Sequence, residues 1–328
     1  MTVLNVLRRP GGWLGLSLVA AGILAACGGG TSQVEPFKPG RVIAFGDETS
    51  VIVNDGANNG RKYSVNGLDA NAVRDCTALP LWVQSVADHY GFVFAECNKA
   101  AAAPKAFIRA KVGAKVDDPT LGMAQQIAEQ GSSGDGFKSN DLVTILIGAN
   151  DIIELDQQVQ AGSISAADAA AEAKRRGTHL AERVNTILGA GAKALVVTIP
   201  DMGLTPYAIN LNKTSPGTAA RMSSLSYDFN AALRTMIDQT RFDGRNYGLV
   251  LADDTVQSIA RFPSSFNYSN VTDGVCLVAL PNCTSATADL VASATLDTYM
   301  WSDDRHLSPS LHSRIGSQAL TRALNNPF

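Results

Sequence analysis

Two six-residue runs, Leu142–Ile147 (LVTILI) and Ala194–Ile199 (ALVVTI), restrict the fold of this chain more than any other feature. Neither shows the apolar–polar alternation of a half-exposed strand. Each must therefore be covered on both faces, as in a parallel sheet held between layers of helices. Further strands are predicted at Arg41–Phe45, Phe92–Ala95 and Leu249–Ala252. Helices are predicted at Pro80–Tyr90, Pro119–Gln130, Ala166–Leu188 and Thr218–Thr240, with a last one opened by Ser308 and Pro309. This alternation predicts an α/β protein, a single three-layer α/β/α domain with a parallel sheet of about five strands. Right-handed crossovers then align the carboxyl ends of the strands along one edge, where sites form. Residues 50–79 and 263–299 break the alternation, are rich in Asn, Asp, Ser and Gly, and read as insertions over that edge. No internal repeat is visible, and 328 residues suit one large domain.

The amino-terminal segment is different in kind. Arg8 and Arg9 precede an apolar run, Trp13 to Ala26, that is too short and too rich in Gly and Ala for a spanning helix. It ends in Leu24-Ala25-Ala26-Cys27, which resembles the lipobox of bacterial lipoprotein signal peptides. The resemblance implies cleavage before Cys27 and acylation of its thiol and new amino terminus, with palmitate-type chains. It also implies a lipid-anchored place in the cell envelope, at the outer membrane, facing the periplasm or the outside. The chain then divides into a signal peptide at 1–26, a lipidated Cys27 with a flexible tether at 27–40, and a folded domain at 41–328. Charged residues make up 17%, the net charge is −3, and Lys and Arg are scattered, which argues against nucleic acid as a partner. Cys76, Cys97, Cys276 and Cys283 remain, an even number that in an exported protein favours disulfides. Three connectivities are open, and proximity in sequence prefers Cys76–Cys97 with Cys276–Cys283. The spacing lacks the paired C-x-x-C of a four-thiolate zinc site.

Three short segments carry chemistry, each at a predicted strand end or helix start: Gly46-Asp47-Glu48-Thr49-Ser50, Gly148-Ala149-Asn150-Asp151, and Asp303-Asp304-Arg305-His306. Singly, each also reads as a helix cap or a surface pair. Together, over residues 41–324, they resemble the SGNH/GDSL hydrolase (lipase/esterase) family, supported by YMWSDDRHLSPSLHSRIGSQAL and by FNYSNVTDGVC. The resemblance implies a flavodoxin-like, SGNH-type fold and hydrolysis of lipid, short-chain or carbohydrate-bound acyl esters, with no cofactor and no metal. In that family a serine attacks the carbonyl, a His takes its proton and an Asp orients the His. The serine amide, a glycine amide and an Asn side chain hold the oxyanion. Carried over, His306 is the base, Asp303 its partner and Asn150 an oxyanion donor, while Asp47, Gly148 and Asp151 complete the binding motifs.

Two departures stand out. The family's second motif, an Asn followed by a Gly, corresponds best to Asn98-Lys99-Ala100-Ala101-Ala102-Ala103, with Ala in place of Gly. More seriously, Glu48 occupies the place of the nucleophilic serine. A carboxylate is a poor nucleophile towards esters, although some enzymes use Asp or Glu covalently, and it favours a protonated His306. Three outcomes follow: a relocated hydroxyl (Thr49 or Ser50), a Glu48–His306 pair acting on water, or a catalytically silent protein that binds an acylated ligand or partner. Glu48, Asp303 and His306 lack a metal-ligand spacing motif. His89, His179 and His312 are expected at or near the surface of helices. Trp82, Phe92 and Phe94 are expected in the core, and the Asn-x-Ser/Thr sequons are incidental.

Overall fold

The computed structural model describes residues 37–133, 136–325 and 328; the signal peptide, Cys27 and the tether up to residue 36 lie outside them. The strands are β1 (Arg41–Gly46), β2 (Ile52–Val53), β3 (Arg61–Lys62), β4 (Ala106–Ile108), β5 (Asp141–Leu146), β6 (Lys193–Val197), β7 (Tyr247–Val250), β8 (Asn270–Gly274) and β9 (Tyr299–Trp301). The helices are α1 (Trp82–His89), α2 (Met123–Ser132), α3 (Ala149–Gln160), α4 (Ala166–Gly189), α5 (Pro206–Thr214), α6 (Thr218–Met236), α7 (Ala252–Arg261) and α8 (Pro309–Asn325). Five strands form a parallel sheet in the order β4-β1-β5-β6-β7. The fold is the predicted three-layer α/β/α arrangement: α1 packs with α8, and α3, α4 and α6 pack with one another. Every residue of β1 and β5 is buried, as the unbroken apolar run of β5 requires. Arg41 and Asp141, paired in register at the start of these strands, form a two-pronged ion pair (2.7 and 2.9 Å). Among the described residues, no helix is long and apolar enough to cross a membrane.

Several boundaries differ from the sequence reading. Phe92–Ala95 is not a sheet strand; only Phe94 bridges, to Ala106, and the edge strand is Ala106–Ile108, next to β1. α2 starts at Met123 rather than Pro119, because the Asp118 carboxylate accepts from the N–H groups of Thr120 and Leu121 and closes a turn there. α6 stops at Met236, where Ile237 turns extended and Asn185 captures the N–H of Asp238. Ala252 opens α7 instead of closing a strand, and α3, α5 and α7 have no counterpart among the helices predicted from sequence. His312 is fully buried rather than superficial. Its Nδ1 accepts from the N–H of Trp82 (3.3 Å), and burial pulls its pKa down to about 3. Phe92 only flanks the core, whereas Trp82 and Phe94 belong to it.

The two insertions are fastened to each other and to the sheet edge. Cys76–Cys97 and Cys276–Cys283 are disulfide-bonded, as sequence proximity preferred. Asn66 donates its N–H to Cys283 O and its side-chain amide to Pro281 O (2.9 Å each), and its own carbonyl accepts from Ser285. Around this seam Val65, Val275, Cys283 and Leu290 form a second small core. Lys62 is fully buried, donating to the carbonyls of Cys76, Ala78 and Leu79 (3.1, 2.7 and 2.8 Å). The neighbouring Tyr63 is thereby held over the strand edge where the chemical motifs meet.

Candidate active site

At the end of β1 the chain leaves the sheet at Asp47, whose Oδ1 accepts from Thr49 N–H (3.0 Å) and caps a single 3-10 turn, Glu48–Ser50. Gln126 on α2 locks the strand end, accepting from Gly46 N–H and donating back to Gly46 O (2.9 and 2.8 Å). This turn projects the Glu48 side chain over the carboxyl edge of the sheet.

The chain leaves β5 at Gly148, φ +130°, and runs straight into α3. A Cβ there would lie 2.5 Å from Phe229 Cζ and 3.1 Å from Ile199, so only glycine fits the crossing. Asn150, in the first turn of α3, reaches the Glu48 carboxylate with Nδ2 3.0 Å from Oε2 and 3.2 Å from Oε1. A further donor comes from an unexpected place. Gly113, in the loop after β4 at φ +73°, gives its N–H to Glu48 Oε2 at 2.8 Å. Asp151, one residue beyond Asn150, is fully buried; it accepts from Val116 N–H (3.1 Å) and from Arg176 (3.1 Å), tying the Gly113 loop to α3 and α4. Burial raises its carboxyl to about 6 despite Arg176.

The third segment follows β9. Asp303 Oδ1 accepts from the N–H groups of Arg305 and His306 (2.9 and 2.8 Å), curling the chain so that Oδ2 meets His306 Nδ1 at 2.7 Å. The other face of the ring points at Glu48, with Nε2 3.5 Å from Oε1, an ion-pair contact rather than an aligned hydrogen bond. Asp303, His306 and Glu48 thus form a line of alternating charge. Tyr63 covers the imidazole, ring centroids 5.5 Å apart.

The electrostatics follow from that line. Burial works against a charged His306, but Asp303 and Glu48 together raise it to about 9, making it an imidazolium at neutral pH. Burial would lift Glu48 as well; the His306 contact and the backbone N–H groups, Gly113 among them, outweigh it and hold Glu48 below the ordinary range. Asp303 behaves likewise, its partner His306 overcoming burial. Asp47, fully buried beside Glu48, is pushed up to about 7.

The structure therefore brings together Glu48, Asn150, Asp303 and His306. Asp47, Gly148 and Asp151, expected at the ligand, are buried and turned inward, where they position the other four. The Asn98–Ala103 stretch lies elsewhere: Asn98 closes a loop on Ala102 through both amide atoms (2.7 and 3.0 Å). The glycine N–H that reaches Glu48 is that of Gly113, in the loop after β4, a strand that the sequence pattern does not mark. Tyr63 was also missed; nothing in its sequence surroundings marks it. Of the two neighbouring hydroxyl residues, Thr49 is half-buried in the turn capped by Asp47, and Ser50 is fully buried with its Oγ unpartnered. Among the described residues, no cluster of three or more metal-ligating side chains is present.

The sequence model of the family described as GDSL-like Lipase/Acylhydrolase matches residues 42–319. Among solved structures, a member of the lipolytic protein G-D-S-L family from Veillonella parvula aligns at 9% identity and a TM-score of 0.38, covering 85% of this chain and 96% of that one. Protein YXIM from Bacillus subtilis aligns at 14% identity and a TM-score of 0.38, covering 88% of this chain and 57% of its own. No curated protein matches the chain.

Proposed function

Since the chain belongs to the GDSL-like lipase/acylhydrolase family, whose members are hydrolases of the SGNH type, we propose that it hydrolyses acyl esters outside the cytoplasm with the Glu48 carboxylate replacing the serine nucleophile. The observation that carries this reading is the Asp303–His306–Glu48 line, 2.7 Å and 3.5 Å between successive partners. Because His306 starts as an imidazolium, it serves first as an acid. Glu48 Oε1 attacks the ester carbonyl, His306 gives its Nε2 proton to the leaving alcohol, and an acyl–glutamyl anhydride forms. Glu48 is now uncharged, which lowers the basicity of His306 towards the range of a useful base. The neutral ring takes a proton from water as the oxygen adds to Glu48 Cδ. Oε2 carries the oxyanion between Gly113 N–H and the Asn150 amide, and collapse expels the carboxylate product. Glu48 then loses its proton to solvent.

The first step pays for this arrangement, since the oxyanion donors already hold Glu48 and not the substrate. One such donor is worth about 100–1000-fold in rate, so only activated or well-bound esters are expected to turn over appreciably. The filled donor pair also favours a second reading, a silent protein that binds an acylated ligand. The two separate on p-nitrophenyl acetate and butyrate. Under the first, wild type turns over while Glu48→Gln and His306→Ala do not; under the second, wild type is inert and Glu48→Ser gains activity. Normal turnover by Glu48→Gln would sink both. The disulfides point to an extracytoplasmic setting, and Cys27 lipidation would hold the domain at the envelope.

A further inference from the structure

We propose that the Glu48 site also hydrolyses uncharged alkyl electrophiles, epoxides foremost, through an alkyl ester on Glu48. This rests on Glu48 as nucleophile and names the electrophile its surroundings suit. The two carboxylate oxygens have different tasks. Oε2 is fixed by Gly113 N–H at 2.8 Å and Asn150 Nδ2 at 3.0 Å, whereas Oε1 faces His306 Nε2 and has only the longer Asn150 contact, 3.2 Å. In a serine hydrolase such donors polarise the carbonyl of the substrate. Here they polarise the carbonyl that Glu48 itself acquires once it is esterified. They are therefore idle in an attack on an ester and well placed for the breakdown of an ester borne by the protein. Attack at a saturated carbon develops no carbonyl oxyanion, so that first step needs no free oxyanion donor.

The epoxide is favoured over other alkyl electrophiles by the acid already in place. As Oε1 displaces the ring C–O bond, the proton on His306 Nε2, 3.5 Å from Oε1, passes to the epoxide oxygen and gives a hydroxyalkyl ester on Glu48 and a neutral imidazole. The imidazole then takes a proton from water as the water oxygen bonds to Glu48 Cδ, and Oε2 becomes the oxyanion. Collapse breaks the Cδ–Oε1 bond, the departing alkoxide takes the proton back from His306, and the acid form of Glu48 restores the imidazolium. The net reaction is epoxide plus water to diol, with no other reactant. A halide leaving group would want paired N–H donors instead. Of the indoles in the folded domain, Trp301 donates to Val271 O and Trp82 is fully buried in the core. The half-buried Tyr63 ring beside His306 supplies an apolar wall, which makes an aryl glycidyl ether a fitting probe.

The experiment uses p-nitrophenyl glycidyl ether with wild type in excess over probe, in ¹⁸O-water, followed by peptide mapping and analysis of the diol. The expected result is one ¹⁸O in the peptide carrying Glu48 and none in the first diol released. Asn150→Ala, lacking one oxyanion donor, should slow the second step by about 100-fold or more and accumulate the alkyl adduct on Glu48. Folded Glu48→Gln, checked by circular dichroism, should give neither diol nor adduct. Label in the diol with none in Glu48 overturns the inference in favour of direct attack by water. Glu48-dependent cleavage of p-nitrophenyl esters with no epoxide product overturns it while leaving the ester reading intact. Failure on both substrates removes the two together.

Discussion

The alternating line of Asp303, His306 and Glu48 makes the state of His306 a measurable consequence of the residue at position 48. Replacing Glu48 by Gln keeps the shape and the contacts of one oxygen but removes the charge 3.5 Å from Nε2. At that separation a unit pair is worth about 1 kcal/mol with water-like screening and about 5 kcal/mol at an effective dielectric of about 20. Both side chains are largely buried, 14% and 10% exposed, so the interaction falls between these limits. His306 rises from 6.5 to about 9, a net gain of about 3 kcal/mol shared by two carboxylates against the cost of burial. Asp303, closer and hydrogen-bonded, takes the larger share, and Glu48→Gln is expected to lower His306 by about 1–2 units. Titration of the imidazole Cε1–H by NMR reads this directly, with His306→Asn to assign the resonance among four histidines. A pKa raised by folding stabilises the protein fully below the unfolded value of about 6.5 and ceases to do so as pH climbs through about 9. Wild type should therefore lose stability to urea between pH 6.5 and 9.5, and Glu48→Gln should lose less over the same window. A wild-type His306 that titrates near 6.5, or a shift under about 0.3 units in the variant, would refute the ion pair and the acid role built on it.

Two further outcomes test the supports of the site and its setting. Gly113 and Gly148 both have positive φ, but a Cβ on Gly113 meets open space, whereas one on Gly148 strikes Phe229 at 2.5 Å. Gly113→Ala should cost about 1–2 kcal/mol from backbone strain alone, and Gly148→Ala clearly more through added overpacking, as read by calorimetric melting; equal losses would contradict the described packing. Cys27→Ser should abolish incorporation of labelled palmitate in a lipoprotein-processing host and release the domain from membranes, and persistence of label would remove the lipobox reading.

What the sequence disclosed followed from how much pattern each element contains. β5 and β6 were legible because several consecutive apolar residues leave no exposed face. β4 was not, since its three residues, Ala106 to Ile108, carry no period, and it is defined by the partners Val42 to Ala44. Phe92–Ala95 looked more like a strand and was preferred, although it lies beyond the edge of the sheet. Gly113 lies in the loop after the unmarked β4 and has no Asn just before it, so the motif pattern points to Asn98 instead. The Asp303–His306 pair was legible because three residues of separation let a single turn join them, Oδ1 bonding the backbone and Oδ2 the ring. Tyr63 was invisible for the opposite reason: its place depends on a buried lysine and on a seam with residues more than 200 positions away.

Glu48 was legible as an absence of serine, but its consequence is a matter of reach. A glutamate extends beyond a serine hydroxyl by enough to place its carboxylate at the N–H donors of Gly113 and Asn150. Burying a carboxylate to 7% exposure is costly unless it is paired and hydrogen-bonded. Here Gly113, Asn150 and the His306 imidazolium supply what is needed, and Asp47 adjusts by moving towards its neutral form. A neutral residue at position 48 would avoid the burial of charge, and the Asp47 cap on Thr49 does not involve Glu48. Glu48 therefore decides where the protons reside, keeping the histidine an imidazolium beside a carboxylate at neutral pH. On the route proposed above, hydrolysis through that carboxylate would use the acid first and recover the base once the charge beside it had been esterified, which is the order in which the two steps require them.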